Sequence, residues 1–308
     1  MTDRLTDTAC ARLCLLTRIA WDNQLPPPLS RPAVHLLLKS GALSGLTLRK
    51  REDVSDTLLE RAQILLTRTS AAFSYMEAYE KKGYQLILPE ESVWPTALHK
   101  LRDQAPCFLF TKGNRTLLKK QTIALAGSRK IEPRTAKMAD KLGETFAREK
   151  IVMACGGASG VDRAAQDALL EAGGSLILVP AVDAEHACIR SNERKALANK
   201  RLLIICETLP DAPFSAQKAL TRNHTIYALG RAAIVVASRK GIGGSWRGAT
   251  DCLKNEWAPV YTLDEDGSDF EGNHALLIDY GARKISCQES VRMQLKLKTP
   301  KKRNGICK

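Results

Sequence analysis

From Gly83 onward, short runs of consecutive apolar residues alternate with segments whose apolar positions recur at three- and four-residue spacing. Runs of the first kind suit strands buried on both faces, and runs of the second kind suit amphipathic helices. The pattern predicts strands at Tyr84–Leu88, Phe108–Phe110, Thr122–Gly127, Ile151–Cys155, Ser175–Val179, Leu202–Cys206, Ala232–Ala237 and Pro259–Leu263. Helices are expected over Pro133–Arg148 and Val161–Ala172, after Arg190, over Ala216–Leu229 and after Ser245. Strict alternation of this kind predicts an α/β fold: a mostly parallel, Rossmann-like sheet with helices on both faces.

The first eighty residues carry only helical signals. These are an amphipathic start over Leu5–Ile19, a break at Pro26-Pro27-Pro28, then Ala33–Leu38 and Leu58–Leu66. A small all-helical N-terminal domain is expected over residues 1–82, with a weak basic patch at Lys39, Arg49, Lys50 and Arg51. The α/β core is expected over 83–286. Residues 287–308 read as a basic tail through Lys296, Lys298, Lys301, Lys302, Arg303 and Lys308, either simply solvated or adding loose phosphate contacts.

Charge sharpens the picture. Lys and Arg outnumber Asp and Glu by 47 to 33 in 308 residues, a formal net charge of +14 that favours a polyanionic partner. Nine cysteines are scattered from Cys10 to Cys307 with no CxxC pair and no His cluster at ligand spacing, which predicts free thiols in a reducing compartment and no zinc. No apolar run approaches membrane-spanning length, so no membrane partner is expected and the cytoplasm is the default location.

Three glycine-rich turns follow predicted strands: Gly127-Ser128-Arg129, then Gly156-Gly157-Ala158-Ser159-Gly160, then Gly241-Ile242-Gly243-Gly244-Ser245. Turns without bulk that lead into helices leave backbone N–H groups free to meet an anion, and Arg129 adds a forked cation. The alternative for any one such turn is tight packing of helix on strand. Asp162, in the first turn of its helix, is favoured as a cap for orphan N–H groups over a ligand contact. Arg222 and Asn223 interrupt an apolar helical pattern, where they could clamp phosphate and base or ribose, or serve as an internal salt bridge or cap.

Catalytic signals are sparse. The five histidines are dispersed, and neither a Gly-x-Ser-x-Gly elbow nor a Walker-type Gly-Lys-Ser/Thr occurs. Glu207, at the end of a predicted strand, could face the crevice but is better explained as a surface or capping carboxylate. No motif calls for a cofactor.

In order and spacing these motifs resemble the DNA-processing protein A family (DprA, also called Smf). The resemblance rests on Gly127-Ser128-Arg129, Cys155 through Asp162, Arg222-Asn223-His224, and Gly241 to Ser245. Flanking support comes from Trp94-Pro95, Pro106 through Asn114, Gly272-Asn273 and Gly281-Ala282. It implies an extended Rossmann fold that grips single-stranded DNA without turnover and hands it to the RecA recombinase, acting as a homodimer in natural transformation. It further implies that Arg129 holds a phosphate, that the Gly156-Gly157 and Gly243-Gly244 amides line the pocket, and that Arg222 with Asn223 completes it. The chain departs from the family pattern at Gln166, at His224, and over Val182 to Ala187. His224 could partly replace a clamp arginine if protonated. These departures leave open a paralogue with a role in defence or on a mobile element. The rival reading is a nucleotide sensor or a phosphoribohydrolase-like enzyme of a related fold, disfavoured because Asp251 falls out of step with that group's acid.

Overall fold

The computed structural model describes residues 2–20, 22–187 and 190–297, without the side chains of residues 2–4. Lys298, Lys301, Lys302, Arg303 and Lys308 of the expected tail lie outside the described residues.

The N-terminal region holds α1 (Thr2–Leu16), α2 (Arg31–Lys39), α3 (Asp56–Leu66) and α4 (Thr69–Lys81). Ser30 and Ser55 cap α2 and α3 by accepting from the amides of Ala33 and Leu58. The region is helical as expected, with one addition. A minimal antiparallel ladder, β1 (Leu43–Ser44) and β2 (Thr47–Leu48), joins α2 to α3 through a turn with Gly45 at φ 57°. Two-residue strands carry too little periodicity to show in the sequence. Lys50, assigned to the basic patch, pairs with Asp56.

The remainder builds one nine-stranded sheet. Its strands are β3 (Gln85–Ile87), β4 (Leu109–Gly113), β5 (Thr122–Ala126), β6 (Val152–Cys155), β7 (Ser175–Leu178), β8 (Leu202–Cys206), β9 (Ala233–Val235), β10 (Val260–Thr262) and β11 (Arg283–Lys284). The order is β11-β10-β9-β5-β6-β7-β8-β4-β3. All neighbours from β11 to β8 run parallel, while β4 pairs antiparallel with β8 and β3 with β4. From β5 the chain winds outward through β6, β7 and β8, then returns to β9 on the other side of β5. The topological switch point therefore lies between β5 and β9, and in such sheets the ligand crevice opens there at the carboxyl ends of the strands.

The covering helices are α5 (Pro133–Arg148), α6 (Val161–Glu171), the short α7 (Ala184–Ala187), α8 (Ser191–Ala198), α9 (Ala216–Leu229), α10 (Gly243–Lys254), α11 (Glu271–Asp279) and the short α12 (Val291–Gln294). The period-two geometry of the strands divides the core. Ile123, Leu125, Met153, Cys155, Leu176, Leu178, Leu202 and Ile204 meet Leu142 and Phe146 of α5 and Leu169 of α6 on one face. Ala124, Val152, Ala154, Ile177, Leu203 and Ile205 meet Ile226 of α9 and Trp246 and Ala249 of α10 on the other.

Two segments are more integrated than their sequence suggests. Ala9, Cys10, Leu13 and Cys14 of α1 share a core with Tyr79, Tyr84, Phe108 and Phe110, and buried Arg12 donates to Glu90 and to the Cys107 carbonyl. At the other end, Cys287 and Val291 are buried and Arg292 donates to the Glu149 carbonyl and to Gln121. The first residues of the expected tail are thus packed, because a few apolar side chains between polar ones suffice to dock a segment that reads as basic.

Candidate nucleic-acid interface

The loops after β5 and β9 meet at the switch point and enclose a crevice of about 660 Å³. Of the residues singled out in the sequence, Gly127, Ser128, Arg129, Ala158, Arg222, Asn223, Gly243, Gly244 and Ser245 line it, whereas Gly156, Gly157 and Ser159 do not.

The turns are stitched together before any ligand arrives. Ser128 donates its N–H to the Ala237 carbonyl at 2.9 Å, joining the β5 and β9 loops, and Ser245 donates its hydroxyl to the Gly127 carbonyl at 2.6 Å. Val161 donates its N–H to the Ser128 carbonyl at 3.1 Å. Gly160 precedes α6 at φ 77°, and a β-carbon there would strike that same carbonyl, so the close approach of the two loops requires glycine.

These bonds revise the expected roles. Asp162 accepts the N–H of Gly156 at 3.1 Å and that of Ala158 at 3.4 Å, so these two amides are not free anion donors. The carboxylate is the cap of its own loop. Burial raises its pKa, opposed by nearby Arg222 and the two amides. Arg222 is 7% exposed; its guanidinium lies against Gly156, donates to the Gly156 carbonyl at 3.2 Å and to Asn223 Oδ1 at 3.1 Å. It is a buried brace between α9 and the β6 loop, and a β-carbon on Gly156 would displace it. Asn223 donates to the Gly244 carbonyl at 3.1 Å and ties α9 to the start of α10. Gly243, Gly244 and Ser245 form the first turn of α10 instead of a preceding loop, with Ile242 at the cap supplying no side-chain acceptor. Their place at a helix N-terminus still favours an anion.

Two departures from the motif pattern, His224 and Gln166, and the candidate carboxylate Glu207 find internal partners. His224 lies outside the crevice, packed on Trp257 at 4.6 Å and 3.4 Å from Asp251, and burial lowers its pKa; it does not replace a phosphate-holding arginine. Gln166 is buried and donates to Glu193. Glu207, expected as a surface or capping carboxylate, is half-buried, with its side chain 6% exposed and ion-paired with Arg31 of α2.

What remains free is the cationic rim. Arg129, Lys130, Arg239 and Arg247 line the crevice, all exposed, and none has a carboxylate within ion-pair distance among the described residues. Arg129 lies 5.8 Å from the ring centre of Phe214, itself 51% exposed, and Ile242 is 68% exposed. Phe214 and Ile242 carried no signal in the sequence, since a lone apolar residue in a loop reads as nothing in particular. Arg239 is legible in the sequence as part of the basic link Arg239-Lys240 before the third glycine-rich turn, and Lys130 could have been found as the neighbour of the first. Among the described residues, no group of three or more His, Cys, Asp or Glu side chains could hold a metal, and no helix is long and apolar enough to cross a membrane.

Fold and site together define a Rossmann-like α/β protein with a cationic crevice at the sheet's switch point. The chain belongs to the DNA recombination-mediator protein A family, whose model matches residues 85–296. It is 30% identical over 176 residues to the DNA processing protein DprA of Streptococcus pneumoniae, covering 56% of this chain and 61% of that protein. With the Bacillus subtilis DprA it is 27% identical over 219 residues, 70% of this chain and 73% of its relative. The crystal structure of S. pneumoniae DprA superposes with a TM-score of 0.67 at 20% identity, covering 94% of this chain and 96% of the other. A Helicobacter pylori DprA structure, described for its single-stranded DNA binding mode, gives 0.58 at 24% identity over 69% of this chain and 96% of that one.

Proposed function

We propose that this chain binds single-stranded DNA in the switch-point crevice without turning it over, and that it passes the strand to a RecA-type recombinase as a homodimer. The observation that carries the reading is the rim of Arg129, Lys130, Arg239 and Arg247, four exposed cations around one crevice with no carboxylate partner among the described residues. Phosphate contacts from such groups supply affinity without reading sequence. The exposed Phe214 ring adds a stacking surface that an unpaired base can use and a duplex cannot. Family membership supports the recombination role, and the H. pylori relative's described binding mode supports the ligand. A binder suits the site better than an enzyme. Asp251, the acid nearest the third glycine-rich turn, faces His224 outside the crevice, and Asp162 is occupied by two amides.

Fluorescence anisotropy with labelled single-stranded and duplex oligonucleotides tests this, using the full chain and a chain ending at Leu297. Single strands should bind more tightly than duplexes in both proteins. Equal affinity for the two, or binding lost on removing residues 298–308, would overturn the crevice as the site. Base release from nucleoside monophosphates would instead indicate the hydrolase.

A further inference from the structure

On the other side of α9 from the crevice lies a second cavity, of about 440 Å³, where the carboxyl ends of β7 and β8 meet the N-terminal region. Leu16, Pro32, Phe108, Val182 and Leu209 give it largely apolar walls. Arg31 of α2 stands at its edge, ion-paired with Glu207 and donating to the Gln104 carbonyl at 3.1 Å.

Three polar residues of the lining, Glu207 after β8 and Arg222 and His224 on α9, stand out here. Glu207, Arg222 and His224 all line the cavity, and each carries a buried polar atom with no hydrogen-bond partner among the described residues: Glu207 Oε1, Arg222 Nε and His224 Nδ1. Buried polar atoms are nearly always satisfied, so three such atoms around one cavity are a concentration that asks for an explanation. Their chemistry is mixed. Arg222 Nε–H can only donate and Glu207 Oε1 accepts as a carboxylate. His224, held neutral by burial and with Nε2 toward Asp251, has Nδ1 left to accept. Arg31, Lys218 and Arg222 set three cations in the lining against the one carboxylate.

We infer that this cavity is a nucleobase pocket: apolar walls for the faces of a flat heterocycle, in-plane donors and acceptors for its edge, and surplus positive charge for the attached phosphate. Its size is in the range of small-molecule sites. The base can come from a free nucleotide or from the strand in the crevice, since Arg222 lines both spaces, with Phe214 on the crevice side and Ala212 on the cavity side. Only the second source rests on the DNA reading proposed above.

The test uses the full chain, Val182→Trp at the cavity wall, where the wild-type residue is 44% exposed and the fold should tolerate bulk, and Glu207→Gln. Calorimetric titration with dAMP, dGMP, dCMP and dTMP reports free nucleotides. Anisotropy with equal-length single strands, intact or carrying abasic residues, reports a base of the strand. Saturable binding of at least one nucleotide, weakened about tenfold in Glu207→Gln as expected for one lost hydrogen bond to a charged group and abolished in Val182→Trp, establishes the free-nucleotide source. Absent such binding, a loss on base removal that shrinks at least threefold in Val182→Trp but persists in Phe214→Ala establishes the strand source. If no nucleotide saturates and Val182→Trp responds to base removal as the wild type does, the pocket is refuted. Arg129→Ala separates the two proposals: unchanged strand binding in that variant overturns the crevice, while the nucleotide arm still judges the cavity.

Discussion

Arg129→Ala should change how DNA affinity depends on salt, and the structure sets the size of the change. Each phosphate neutralised on a single strand contributes about −0.7 to the slope of log K against log salt. If the four rim cations each meet one phosphate, the wild-type slope is about −2.8 and the variant's about −2.1. Raising salt from about 50 to about 200 mM should then weaken binding roughly 50-fold in the wild type and roughly 20-fold in Arg129→Ala. The side chain is exposed, pairs with no carboxylate among the described residues and lies 5.8 Å from the Phe214 ring centre, so its removal should leave stability within about 0.5 kcal/mol of the wild type. Anisotropy across a salt series, with urea unfolding alongside, measures both quantities. A slope unchanged by Arg129→Ala would refute the claim that phosphate sits at the mouth of the β5 loop, whatever the absolute affinity.

Three further outcomes are expected. Phe214→Ala should weaken single-strand binding by about 1–3 kcal/mol while leaving the salt slope intact, since a stacked base carries no counterion; anisotropy in the same series reads it. Arg222→Ala should lower stability by about 3 kcal/mol in urea unfolding, because it strands the Gly156 carbonyl and leaves buried Asp162 without its nearby cation, whereas Arg129→Ala should not. His224 sets a pH dependence. Burial holds its pKa below the unfolded value, so the unfolded chain takes up the proton first; this contribution is intact above the ordinary histidine pKa of about 6.5 and is lost as pH falls below it. Urea midpoints between pH 7.5 and 5.5 should therefore fall less steeply in His224→Gln than in the wild type, and parallel curves would show that the imidazole is not the group responsible.

The repeated alternation of apolar runs and helical periods determined the fold class by itself, because a strand buried on both faces has no polar positions to hide and a covering helix has to repeat near 3.6. Glycine turns at strand ends also gave the neighbourhood of the crevice, since only glycine permits Gly160 to sit against the Ser128 carbonyl. What those turns do was decided in three dimensions. Sequence spacing places Arg222 and the Gly156 and Ala158 amides at the site but does not say what they bond to. Asp162 takes both amides and the Gly156 carbonyl takes Arg222, so they build the loop, and the cations left open on the crevice rim are Arg129, Lys130, Arg239 and Arg247. Phe214 became visible only once folding set it beside Arg129, and Glu207 only once α2 brought Arg31 to it across 176 residues of chain. The physical reason is common to all of these. Periodicity is a local property that survives in one dimension, whereas the partner of a polar group depends on which distant segments the packed core brings within hydrogen-bonding reach.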